Sequence, residues 1–417
     1  MARKYLFILA FFNIYIAFGQ TTIKTMFYNL LNYPTAPPQN RNLILKEILN
    51  SYEPDIFMVC ELENATSAND ILINSLNDIN KNYSKAQFIT NQSDTSVNSS
   101  LQQLIYFNTD FLILDSQTTI LTNIRDINRY SFILKTSDYL TNPIYLHTFV
   151  THLKASQGAF NESLRLQMVN LFVNELNTLP PNSYVMFAGD FNFYTSNENG
   201  YLQLLNTSNT IIMRDPLNLN NTLQSWHNNN NWSNIHTQST RISSSDFNGF
   251  GAGGGLDDRF DFILLSENIM NSSDINYATN SYKSYGNNGN CFNSRINNSN
   301  CNGNFNQNLR NNLYLMSDHL PVVLELETSR TLSLPNSLTN TKLISFVNGN
   351  IIKDNLFLLT DKNLFGFTLN IYNILGQTLY STKLNSSKLS INTSSFPKGV
   401  YYIKTKKLKT PIKFLKI

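Results

Sequence analysis

Six short segments of this 417-residue chain set carboxylates, carboxamides and histidines at the ends of apolar runs. In MFYN and PDIFMVCELE, Asn29 and Glu61 follow such runs, and Glu61 is preferred to Glu63 because the apolar run stops one residue before it. THLKA puts His152 just past YLHTFVT. FAGDFNF puts Asp190 and Asn192 after YVMFA, where strand alternation sends both side chains to one face. LDDRFDFILLS carries Asp257, Asp258, Arg259 and Asp261. Asp261 sits among apolar neighbours, so a buried carboxylate there needs a partner. MSDHLPVVLELE opens with Asp318 and His319 ahead of another strand.

These residue types suit hydrolysis at phosphate. That reaction needs a cation to offset charge on the scissile group, an oriented or deprotonated water, and donors for the non-bridging oxygens. Carboxylate and carboxamide oxygens are the expected ligands of Mg²⁺, Mn²⁺ or Ca²⁺. Asp190 could hold or deprotonate water, Asn192 could donate to phosphate, and Asp261 could orient His319 as a base or a phosphate-facing imidazolium. Each segment also has a plainer use: a strand must end in something polar, a lone histidine at a strand end can be structural, and an Asx turn can close a strand.

The elements that would position these groups alternate short strands with few helices. TIKTMFYNLLNY is β-like and ends in turn residues Pro34 to Gln39; Asn42 to Leu49 has helical spacing; PDIFMVCEL reads as a buried strand. Further strands are expected at 104–107, 131–134, 144–151, 184–188 and 260–265, with a long amphipathic helix over 160–176. This pattern predicts two packed sheets with helices outside rather than one parallel wound sheet. Stretches 218–255 and 280–312, rich in Asn and Gly, read as loops, either functional or solvated decoration.

Charge divides the chain. From Thr21 to Arg330 there are 17 basic and 26 acidic residues, net −9, whereas Thr331 to Ile417 has 12 Lys and 2 Asp, net +10. An acidic main domain argues against a passive polyanion binder, which needs a basic face, but a bound cation would reverse the local potential. Arg3 and Lys4, an apolar run from Tyr5 to Ala17 and the small-x-small site Ala17-Phe18-Gly19 predict a signal peptide over 1–19. The run of about 13 residues is short for a membrane span, and the mature protein is expected to have no spanning segment. Cys291 and Cys301 could close a short loop, while Cys60 reads as a buried small hydrophobe. The catalytic region is expected over 20–328, a linker over 329–341 and a small all-β sandwich over 342–417.

In their order, these segments resemble the endonuclease/exonuclease/phosphatase superfamily, which includes pancreatic-type DNases, apurinic endonucleases, bacterial sphingomyelinases and inositol-phosphate phosphatases. The resemblance spans about residues 22 to 327, and GDFN with SDH and the intervening D-F-I-L strand are its most specific parts. It implies a four-layered α/β sandwich with one metal site, held by Asn29 and Glu61 with Asp318 nearby. His152 would contact phosphate, Asp190 would handle the water, Asn192 would orient phosphate or nucleophile, and Asp261 would align His319. Arg129, in INRYSF, lies where the family often has a phosphate-contacting arginine. One departure concerns the acid that pairs with the first histidine in pancreatic-type DNases: residues 98–103 are Asn-Ser-Ser-Leu-Gln-Gln. HTQSTR, with His236 and Arg241, reads as either a surface loop or an extra phosphate-facing loop.

The tail, with NIYNILGQTLYST, SFPKGVYYIKT and KFLKI, resembles the type A sorting domain of the type IX secretion system of Bacteroidota; a carbohydrate- or surface-binding module is the other use of such a sandwich. The expected protein is therefore exported, extracellular or at the outer-membrane surface, with the type IX machinery as partner. Its expected activity is nuclease action on DNA or RNA, with a phosphatase or sphingomyelinase-like phospholipase C on the same fold as the enzyme alternative. A non-catalytic surface adhesin is the alternative outside enzymes.

Overall fold

The computed structural model describes residues 21–77, 81–93, 101–217, 225–332, 343–347, 350–408 and 411–417. The expected signal peptide and most of the expected linker lie outside the described residues. The chain divides into two compact units at Leu332 and Ser333, within the stretch read as a linker.

In the first unit the strands are β1 (Thr21–Tyr33), β2 (Ile56–Leu62), β3 (Tyr83–Lys85), β4 (Gln102–Asn108), β5 (Leu112–Ile120), β6 (Ile127–Leu134), β7 (Ile144–His152), β8 (Tyr184–Asp190), β9 (Met213–Arg214), β10 (Asp261–Ser266), β11 (Asn276–Tyr277), β12 (Lys283–Ser284) and β13 (Val322–Thr328). The helices are α1 (Arg41–Tyr52), α2 (Ala65–Asp70), α3 (Ala159–Leu176), α4 (Asn199–Leu204), α5 (Glu267–Asn271) and α6 (Gln307–Met316). One sheet runs β11-β13-β1-β2-β4-β3, with β12 also on β13; the other runs β5-β6-β7-β8-β10-β9. Both are mixed: β1 with β2 and β7 with β8 are parallel, and their other pairings are antiparallel.

Strand alternation sorts the second sheet into two faces. Leu146, Val150, Met186, Ala188, Ile263 and Leu265 point to the first sheet and share its core. Phe149, Val185, Phe187, Phe262 and Leu264 point the other way and pack against Met168, Phe172 and Val173 of α3. α1 packs beside α6, burying Leu45, Ile48, Leu49, Leu313 and Met316 against the first sheet. Helices, sheet, sheet and helices make the four layers of an α/β sandwich. α6 begins inside the stretch read as loop, because its Asn-rich face masks an apolar stripe of Leu309, Leu313 and Met316. Cys291 and Cys301 are disulfide-bonded, and Cys60 is buried and free.

The second unit is all β. Strands β14 (Ile344–Phe346), β16 (Asn355–Thr360) and β19 (Lys388–Asn392) form one sheet; β15 (Ile351–Ile352), β17 (Thr368–Asn373), β18 (Thr378–Lys383), β20 (Gly399–Thr405) and β21 (Ile412–Lys416) form the other. Leu356, Leu358 and Ile391 from the first meet Leu369, Ile371, Ile403 and Phe414 from the second in one core.

Candidate active site

The register of the second sheet places three of the expected residues side by side. His152, at the end of β7, is opposite Asp190, at the end of β8, and Asp190 is opposite Asp261, the first residue of β10. All three share the inward parity of Val150, Ala188 and Ile263, so their side chains stand in a row toward the first sheet. Gly189 makes this row possible: a Cβ there would lie 2.4 Å from the Thr151 carbonyl oxygen on the neighbouring strand.

Asn29 and Glu61 come to the same place from the first sheet. Asn29 pairs with Cys60 across β1 and β2 just before the register shifts. Glu61 has φ +58°, and its Oε2 accepts from the Asn32 amide at 3.0 Å. The buried Arg41 guanidinium donates to the carbonyls of Leu30, Leu31 and Met316, tying the irregular end of β1 to the end of α6. Ser317 Oγ then donates to the Asn29 carbonyl at 2.7 Å and accepts from the His319 amide at 3.1 Å. Glu63 faces elsewhere, accepting from Thr35 Oγ1 in solvent.

Asp190 is the hub of the cluster. Its Oδ1 accepts from Asn192 Nδ2 at 2.7 Å, and its Oδ2 accepts from Asn29 Nδ2 at 3.1 Å. That Oδ2 also lies 3.4 Å from His152 Nε2 and 3.7 Å from His319 Nε2. Burial pushes the Asp190 carboxyl up to about 7; Asp261 and Glu61 add to the rise and His319 opposes it. The two imidazoles are driven apart. Burial, with Arg125 and His319 nearby, holds His152 well below the ordinary histidine range. For His319 burial acts in the same downward direction, but the carboxylates of Asp261, Asp318 and Asp190 outweigh it and raise it well above that range. His319 Nδ1 donates to Asp261 Oδ2 at 2.7 Å.

The oxygen and nitrogen atoms of Glu61, His152 and Asp190 lie within 4.8 Å of one another and form a group able to hold a cation. An unpartnered buried atom supports that fit: His152 Nδ1 has no hydrogen bond and stands 4.0 Å from Glu61 Oε1. The group differs from the ligand set implied by resemblance. Asn29 turns its amide nitrogen to Glu61 Oε1 at 3.0 Å as well as to Asp190, while its oxygen is occupied by the Leu31 amide. It thus bridges the carboxylates. Asp318 Oδ2 is taken by Gln238 Nε2 at 3.0 Å and the Ala252 amide at 2.7 Å, leaving buried Oδ1 unpartnered.

Arg129 is not brought to this cluster. It is opposite Phe149 on β7 and shares its outward parity, so its guanidinium pairs with Glu175 of α3 at 2.8 Å. Arg125 takes the position beside the site, donating to the Leu153 carbonyl at 3.1 Å. In HTQSTR, His236 and Arg241 are buried and bond to backbone carbonyls, so neither faces solvent or the cluster. The residue of that segment that does reach the site is Gln238, whose amide meets His319 Nε2 at 2.7 Å. At the position where DNases carry an acid, Gln102 and Gln103 instead hold Asp126 and its carbonyl. His152 has Asp190 as its near carboxylate.

A carboxylate–imidazole group able to hold a cation, beside a second, aspartate-oriented imidazole, has the residue types that hydrolysis at phosphate requires. Solved structures similar to the chain include the human Nocturnin catalytic domain with bound sulfate, at 14% identity over 74% of this chain and 97% of that one, TM-score 0.47. An endonuclease/exonuclease/phosphatase from Bacteroides vulgatus is similar at 14% identity over 74% and 99%, TM-score 0.46. A mannosyl-6-phosphatase from Bacteroides thetaiotaomicron is similar at 13% identity over 73% and 99%, TM-score 0.44. No curated protein sequence matches the chain. Residues 350–416 match the secretion system C-terminal sorting domain. The second unit is therefore a sorting domain, and the chain is addressed for export to the cell surface or beyond.

Proposed function

We propose that this chain is an exported, metal-dependent phosphodiesterase that cuts nucleic acid. The observation that carries the reading is the in-register row His152, Asp190 and Asp261, with Glu61 completing a cation-sized group on one side and His319 held by Asp261 on the other. Glu61, His152 and Asp190 would hold the divalent cation, Mg²⁺ first among Mg²⁺, Mn²⁺ and Ca²⁺. When bound it would offset charge on the scissile phosphate and lower the pKa of water.

The protein's own groups divide the remaining work. Asp190, through the oxygen not on the cation, takes the proton of the attacking water. Asn192 Nδ2, presented by a residue with φ +53°, fixes Asp190 and lies ready to donate to a phosphate oxygen. His319 is held by Asp261 at Nδ1, and its Nε2, which faces the Gln238 amide nitrogen at 2.7 Å in this structure, would deliver a proton to the leaving oxygen once substrate displaces that amide; Asn29 keeps the two carboxylates together. Asp318 acts through Gln238 on His319. Nucleic acid is favoured over lipid because Lys154, Gln157, Tyr194 and His227, on segments leading away from the cluster, are polar or aromatic and suit nucleotides better than acyl chains.

The test is to incubate the full chain with plasmid, sphingomyelin vesicles and a sugar phosphate, with EDTA and after adding back each cation. Plasmid cleavage abolished by EDTA and restored by a divalent ion is the expected result. Cleavage of sphingomyelin but not plasmid would sink the nuclease reading, and plasmid cleavage indifferent to EDTA would sink the metal.

A further inference from the structure

A second aspartate–histidine pair lies outside the cluster. Of the five histidines, His147, His152, His236 and His319 are buried, whereas the His227 side chain is 39% exposed. Its Nδ1 meets Asp258 Oδ1 at 2.7 Å, and its Nε2 meets the exposed Gln157 amide at 2.9 Å. The Tyr194 ring stands edge-on to the imidazole, 5.1 Å between centroids.

Every part of this pair is tied to an active-site segment. Tyr194 is two residues beyond Asn192, Gln157 five beyond His152, and Asp258 three before Asp261. Gln238, the residue at His319 Nε2, also bridges the Asp258 backbone. Buried Trp226 anchors the preceding position through Nε1 to the Phe193 carbonyl at 2.7 Å, and the His227 amide donates to the Tyr194 carbonyl.

Folding alone gives little reason for the arrangement. Burying a carboxylate is costly, and a partner that is more than a third exposed returns little of that cost. The geometry does suit an anion. Asp258 accepts from Nδ1 and so turns Nε2 outward, where the exposed Gln157 amide can yield to a phosphate oxygen, and a proton placed between Nε2 and that oxygen would make a charge-assisted bond. Tyr194 offers a ring for a base or sugar.

We infer that Tyr194, His227 and Asp258 form a subsite for a second phosphate of a nucleic-acid substrate, next to the phosphate that is cut. His227 Nε2 donates to that phosphate and Asp258 positions His227. The inference rests on the nuclease reading above.

The experiment compares kcat/KM for dTpdT, pdTpdT and dTpdTp in the full chain, in His227→Ala and His227→Gln, and in Asp258→Asn. Wild type should cut one of the two end-phosphorylated dinucleotides about 10-fold better than dTpdT, mainly through KM. Both His227 variants should bring that ratio to about 1, with Asp258→Asn between. A ratio near 1 in wild type, or a gain that survives in both His227 variants, overturns the subsite alone. Failure to cut any of the three while plasmid is cut overturns the subsite alone, and failure to cut plasmid as well overturns the nuclease reading and the subsite with it.

Discussion

Asp261→Asn tests whether His319 and Asp261 act as one unit. The carboxylate is fully buried, its Oδ2 is 2.7 Å from His319 Nδ1, and its Oδ1 has no partner. An amide in its place can still accept from Nδ1, but the bond loses its charge assistance, worth about 1.5–3 kcal/mol, which is roughly a 10- to 150-fold fall in kcat/KM. His319→Ala removes the donor itself and should cost about 10²- to 10⁴-fold. Because Asp261 acts only through the imidazole, the double variant should be no slower than His319→Ala, within about 3-fold. Stability should move the other way. His319→Ala strands a buried carboxylate at a cost of about 3–5 kcal/mol, and adding Asp261→Asn should recover part of it. Single-turnover cleavage at saturating cation, with urea unfolding of the same four proteins, measures both. Additive losses in rate, or a double variant less stable than His319→Ala, would refute the pairing.

Arg129→Ala should leave kcat/KM within about 2-fold and cost at most about 1 kcal/mol, since its partner Glu175 is on the outer face. Arg125→Ala should slow cleavage by about 10-fold by loosening the His152–Leu153 turn; equal effects of the two would overturn this assignment. Gly251→Ala sets a Cβ 2.9 Å from Asp318 Cγ at φ +82°, so both the thermal midpoint and kcat should fall, by about 1–2 kcal/mol in stability. Burial pushes His236 down to about 4 against the ordinary 6.5, so the unfolded chain binds the extra proton between those values. Its contribution is therefore fully favourable above pH 6.5 and is lost as pH falls toward 4, on the order of 3 kcal/mol in total. Urea midpoints from pH 7 to 4.5 should fall less steeply in His236→Gln, and an unchanged slope would refute the assignment.

What was legible in the sequence follows from what a strand's local pattern can encode. Apolar runs announced β2, β7, β8 and β10, and the polar residue ending each run was open to view, which is why His152, Asp190 and Asp261 could be named. That the three stand in one row depends on register across two different pairings, one parallel and one antiparallel, and no local signal carries it. Arg129 shows the cost: its motif position was right for a strand, but its face is decided by pairing with Phe149, whose own outward direction is set by α3. Gln238 and Arg41 were missed for a related reason. One reaches His319 from an irregular loop and the other secures the end of β1 from a helix, so neither sits at a strand end, where an apolar run would announce it. His227 and Asp258 belong to the same class. Asp258 was visible in LDDRFDF, but its partner is 31 residues away in a segment with no periodicity, so the pair exists only once the loops are folded onto the sheet ends. A site built where strands stop is therefore half-readable from sequence: the strands announce the groups they deliver directly, and the loops conceal those they bring in from the side.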